Sequence, residues 1–128
     1  MGREEAMRSR ILAVAVDCHD AEALARFWSR ALGYQEIRRW RDDKGVEYVD
    51  IGSDDQEMVV FQPVGEDKVV KNRLHLDLVP EGGSQADEVA RLVELGARVL
   101  SDDDDLPWVV LADPEGNEFC VLPPRQAG

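Results

Sequence analysis

Two hydrophobic periods run along the chain, and the points where one gives way to the other mark its elements. Residues 11–16 form a nearly unbroken apolar run of strand length. Asp20 then offers a helix N-cap, with Glu22 in the first turn where the helix dipole favours a carboxylate. Leu24, Phe27, Trp28 and Ala31 recur at i, i+3, i+4 and i+7, one apolar stripe of a helix that Gly33 is placed to end. Three strands are predicted over 34–40, 46–51 and 58–62, parted by the turn-rich segments 41–45 and 52–55. The order is β-α-β-β-β.

Residues 63–72, with Pro63 and Gly65, read as a linker, and the order then repeats. Leu74, Leu76 and Leu78 alternate strictly with His75 and Asp77, the pattern of a half-buried strand. Ser84 and Asp87 form a capping pair. Ala86, Val89, Ala90 and Val93 mark a second helix stripe, and Gly96 is its stop. Strands follow over 98–100, 108–111 and 118–122. Leu32-Gly33 and Leu95-Gly96 close the two helices about half a chain length apart, as in an internal duplication. One βαβββ unit cannot enclose a core, but two can curl their mixed sheets into a cup with the helices outside. The expected fold class is therefore α+β. It comprises a tail at 1–9, a single domain over 10–123 built of modules 10–62 and 73–123 joined by the linker 63–72, and a tail at 124–128.

Composition narrows the function. The 128 residues are 44% hydrophobic and 33% charged, a globular balance. Fifteen Lys and Arg stand against 27 Asp and Glu, a net charge of −12, with the larger share in the second half. Such a chain repels nucleic-acid backbones and anionic lipid, so neither partner is expected. No apolar run approaches the roughly 20 residues of a membrane helix. The polar start shows no signal-peptide pattern, and the two cysteines, Cys18 and Cys120, form no CxxC. A reduced, cytoplasmic protein is the expectation. The run 102–105 of four aspartates lacks the Gly and distal Glu of a calcium loop and reads as solvated.

Strand alternation sorts the candidate chemistry. Leu74, Leu76 and Leu78 take the core side, so Arg73, His75 and Asp77 face the cup. Ala13, Ala15 and Asp17 do so from the first strand, and Glu118 and Cys120 from the last. Phe61 and Val59 can join from the fourth strand, where the phase is ambiguous, and Trp108 stands at a strand end where an aromatic lines a pocket or caps a core. His75 beside carboxylates reads as an acid–base or ligand-contacting centre. A metal reading needs three or four convergent donors. A purely structural histidine with Cys120 as a buried filler is the bland alternative.

Four segments together carry a family likeness. They are Asp20-x-x-x-Leu24-x-x-Phe27-Trp28-x-x-x-Leu32-Gly33, the run from Lys71 to Leu78, Leu95-Gly96-Ala97, and Asp113-Pro114-Glu115-Gly116-Asn117-Glu118-Phe119-Cys120-Val121-Leu122. The chain resembles the glyoxalase/bleomycin-resistance/dioxygenase group, the vicinal oxygen chelate superfamily, and in particular its bacterial glyoxalase-like branch. The resemblance implies paired βαβββ modules and, in metal-dependent members, four ligand positions. The first, usually His or Gln, falls on Ala13; the fourth-strand Glu falls on Phe61, within one residue; the fifth-strand His falls on His75; the last-strand Glu falls on Cys120. Ala and Phe offer no donor atom, so no metal is expected and no cofactor is assigned; a divalent ion is possible but disfavoured. Drug-binding members of the superfamily imply that such a cup also works by sequestering a ligand.

The expected function is a small-molecule-binding, glyoxalase-like homodimer. Arg73, His75, Asp77, Phe61, Cys120 and Trp108 are its ligand contacts. The alternative is a lyase or isomerase using His75 with Glu118 or Asp77 as acid–base groups, or an atypical metal site. A third reading is an interaction domain without a ligand.

Overall fold

The computed structural model describes residues 7–53 and 56–125, so the expected tails fall mostly outside the described residues. Strands β1 (Ala13–Cys18), β2 (Glu36–Arg41), β3 (Glu47–Ser53) and β4 (Gln56–Pro63) form one sheet in the order β1-β4-β3-β2, with helix α1 (Ala21–Leu32) after β1. Strands β5 (Leu76–Leu78), β6 (Arg98–Ser101), β7 (Val109–Ala112) and β8 (Glu118–Val121) form a second in the order β5-β8-β7-β6, with helix α2 (Gln85–Leu95) after β5. In each sheet the first strand runs parallel to the last and the remaining pairs are antiparallel. The two units repeat one topology, the α+β duplication expected from the order of elements.

Local chemistry explains the helices. The Asp20 carboxylate accepts the Ala23 N–H at 3.1 Å, and Gly33 ends α1 in the left-handed region at φ 71°. Ser84 and Asp87 form a reciprocal capping box on α2, which Gly96 ends at φ 127°. The stripe of α2 differs from the expected one. Leu92 is its fully buried residue, flanked by the half-buried Val89 and Leu95, while Ala86, Ala90 and Val93 are exposed. Both sets fit a 3.6-residue period; the packing against β6 and β8 selects the Leu set.

Two strand readings also shift. Ile11 and Leu12 are exposed, and β1 begins at Ala13, whose partner is Met58. Leu74 is 88% exposed rather than core, because a bend at residues 73–74 precedes β5. Leu76 and Leu78 do pack against the core, opposite Phe119 and Val121.

One core spans both modules, and α1 lies at its centre. Phe27, Trp28 and Phe119 pack edge to face, with the Trp28 and Phe119 centroids 4.9 Å apart. The second module grips α1 at both ends. The Glu115 carboxylate accepts the His19 and Asp20 N–H groups at 2.7 Å each, at the positive end of the helix. The Arg91 guanidinium donates to the Arg30 and Ala31 carbonyls at 3.2 and 2.9 Å, at the negative end. Among the described residues no helix is long and apolar enough to cross a membrane.

Candidate functional site

The open face of a sheet is the one turned from its helix, and the observed registers assign it. Val49, Ile51, Val59 and Phe61 are buried against α1. Val14 and Val16 pair with Val59 and Phe61 and share that face. Ala13, Ala15 and Asp17 therefore lie on the open face with Met58, Val60 and Gln62. This corrects the reading of Phe61 as a ligand contact: it is wholly buried in the core. The apolar run from Met58 to Phe61 conceals the strand's phase, which only the pairing resolves.

In the second sheet the expected face holds. Asp77 pairs with Cys120 across β5 and β8, and Leu76 pairs with Phe119 on the core side. His75 Nε2 lies 3.1 Å from Asp77 Oδ1. One donor atom from each of His75, Asp77 and Cys120 falls within 4.8 Å of the others. Burial, and then the Asp77 charge, push the Cys120 thiol up, which keeps it protonated near neutrality. Burial also pushes Cys18 up, to about 12, and both cysteines are free.

Glu118 is turned to other work. Its carboxylate accepts the Asn72 N–H at 3.1 Å and lies 3.3 Å from Lys68 Nζ. The Asn72 amide, joined by the Lys68 ammonium, holds its carboxyl below the ordinary range. It thus ties residues 68–72 to β8 and stands outside the His75 cluster. Trp108 is 38% exposed just ahead of β7, and alternation from the buried Val109 puts it on the face of Val110 and Cys120.

A cleft of about 1160 Å³ opens along β1 and β5, the edge strands of the two sheets. Its apolar wall includes Val14, Val16, Leu76 and Phe119, and its polar wall includes Arg73, His75 and Glu118. Asp77, Cys120, Trp108 and Phe61 do not line it. His75 is thus the expected site residue common to the cleft and the three-donor cluster. The core-side valines of β1 are cleft residues that alternation alone assigns wholly to the core.

The turn before β8 explains the sequence motif that precedes it. Asp113 is a buried carboxylate that accepts from Trp28 Nε1 at 2.9 Å, from the Glu115 and Asn117 amides at 2.9 and 3.0 Å, and from the Asn117 side chain. The Asp-Pro-Glu-Gly-Asn segment therefore builds one wall of the cleft and locks it to α1.

A glyoxalase-like domain model matches residues 13–122. The chain belongs to that glyoxalase-like domain family, and with it to the vicinal oxygen chelate superfamily. The fold is shared with the trypanothione-dependent glyoxalase I of Leishmania major, at 15% identity and a TM-score of 0.66, over 90% of this chain and 86% of that one. It is shared with the fosfomycin resistance protein FosX of Mesorhizobium loti, at 13% identity and a TM-score of 0.71, over 91% and 92%. A glyoxalase/bleomycin resistance protein/dioxygenase family enzyme of Burkholderia phytofirmans PsJN aligns at 14% identity and a TM-score of 0.61, over 88% and 97%. No curated protein sequence matches the chain.

The four-position metal set implied by the resemblance does not fit these residues. Ala13 has no donor atom, and Phe61 faces the core, which leaves its open-face neighbours Val60 and Gln62 for the fourth-strand position, with a neutral amide at best where metal-dependent members have a glutamate. Among the described residues the donors that do converge, His75, Asp77 and Cys120, all come from the second module.

Proposed function

We propose that this glyoxalase-like protein binds a small organic molecule in the cleft between its two modules, without the four-ligand metal centre of its metal-dependent relatives. The observation that carries the reading is the cleft itself, a concave site in which an apolar wall that includes Val14, Val16, Leu76 and Phe119 meets charged and polar side chains able to orient a ligand, Arg73, His75 and Glu118 among them. His75 supplies a ring nitrogen that donates or accepts, and Arg73 supplies a cation for a carboxylate or carbonyl oxygen. Asp77, 3.1 Å from the His75 ring, orients it. Glu118 acts as a positioning residue, because its partners are the segment that walls the cleft.

The second reading, a lyase or isomerase, rests on the same pair. His75 with Asp77 is a general acid–base arrangement, whereas Glu118 is engaged elsewhere. We further propose a homodimer, since β1 and β5 are sheet edges bordering an open cleft and pairing with a second copy covers such edges. Two free, buried thiols suit a reducing compartment such as the cytoplasm.

Thermal-shift titration with small carboxylates and ketones tests the binding reading. The expected result is a saturable rise in melting temperature with at least one compound, lost in His75→Ala. Equal shifts in both proteins remove His75 from the site, and no shift with any compound counts against the cleft as a pocket.

A further inference from the structure

The open face of the first sheet carries an aromatic arrangement that the cleft and the His75 cluster do not use. Trp40 and Tyr48 stand directly opposite each other on β2 and β3. Their rings are stacked with centroids 4.2 Å apart and planes 7° apart. Both face away from the core, since their strand neighbour Val49 is buried against α1 and Arg39 reaches Glu22 on that helix. Trp40 remains 44% exposed.

Each ring is held at its polar edge by a carboxylate. Trp40 Nε1–H donates to Asp50 Oδ1 at 3.0 Å, and the Tyr48 hydroxyl donates to Asp42 Oδ2 at 3.1 Å. Asp42 also accepts the Lys44 and Val46 amides, so the hairpin turn itself fixes that carboxylate. The pair is thus pre-organised, with little side-chain freedom left to lose on binding.

Charge decides what the pair would recognise. Arg38, the basic residue beside it on this face, is turned to Glu36 at 3.4 Å rather than to Asp50. Electron-rich ring faces with carboxylates at their edges favour a flat cation.

We propose that Trp40 and Tyr48, with Asp42 and Asp50, form a binding platform for a planar organic cation, which stacks on the free face of Trp40. The platform lies on the first module and does not depend on the role of His75.

Titration of the full-length protein with proflavine, read by quenching of tryptophan fluorescence and by the dye's own spectrum, tests this. The expected result is saturable binding of one dye per chain, weakened about tenfold or more in Trp40→Leu. Asp50→Asn keeps both rings and is expected to weaken proflavine severalfold, which guards against a hairpin disturbed by loss of Trp40. Binding of 2-naphthalenesulfonate is expected to be far weaker, and excess spermidine is expected not to displace the dye. Unchanged binding in Trp40→Leu, or displacement by spermidine, reduces the effect to the acidic surface and overturns the proposal. Equal affinity for the flat anion does the same. A dimer that excludes the dye and dissociates in Trp40→Leu assigns the pair to a second copy of the chain, and also overturns it.

Discussion

Asp113 concentrates several obligations in one side chain. Its buried carboxylate is surrounded by the Trp28 indole N–H, two backbone amides and the Asn117 side chain, donors enough to satisfy a charge taken from water. Asp113→Ala strands those donors, and a loss of about 3 kcal/mol or more is expected in chemical denaturation. In the linear sequence this residue reads only as the first position of a turn; nothing local reveals that its partner is Trp28 on α1. Phe61 is a second such case. Its neighbours Val59 and Val60 are apolar on either phase, so the sequence leaves its face open, while the pairing with Val16 places it in the core. Phe61→Ala is expected to cost roughly 3–5 kcal/mol, measured by urea unfolding. A loss below about 1 kcal/mol would return Phe61 to the ligand face.

At the scale of elements, what is written locally was legible and what depends on a partner was not. The caps at Asp20 and Ser84 and the stops at Gly33 and Gly96 are chemistry within one turn, and the helices begin and end on them. Strand extents are set by pairing, which is why β1 starts beyond Ile11 and β5 beyond His75. The open-face assignment of His75, Asp77 and Cys120 was legible, because the core alternation of Leu76, Leu78, Phe119 and Val121 is unbroken. The partner of Glu118 was not, since it lies in an irregular segment far away in sequence. That contact makes the cleft wall sensitive to acid. The folded state holds the Glu118 carboxyl below its ordinary value, so its contribution is complete above the unfolded carboxyl value of about 4.3 and fades as pH falls through the lower folded value. Glu118→Gln is accordingly expected to lower the melting temperature at pH 7, by the equivalent of about 1–2 kcal/mol. The gap from the parent protein should close as pH drops below about 4. A gap that persists at low pH would mean that the glutamate acts by shape and not by charge.

The whole molecule is two copies of one topology held together through a single helix. The second module places a carboxylate at the start of α1 and a guanidinium at its end, with the Trp28–Asp113 contact between them. That grip fixes how the modules meet, and the cleft along β1 and β5 is the space left beside it. The duplication was visible as two Leu-Gly stops, but the inter-module contacts were not, because each joins residues of unrelated local pattern. The central claim is that this cleft holds an organic ligand without the family's four-ligand metal centre. Native mass spectrometry of the purified protein, with elemental analysis of the same sample and of His75→Ala, tests it most directly. The predicted result is a dimer free of stoichiometric transition metal, with any retained organic molecule lost in His75→Ala. One zinc, nickel, manganese or iron per chain, lost when His75 is replaced, would contradict it and make His75, Asp77 and Cys120 the core of a metal site.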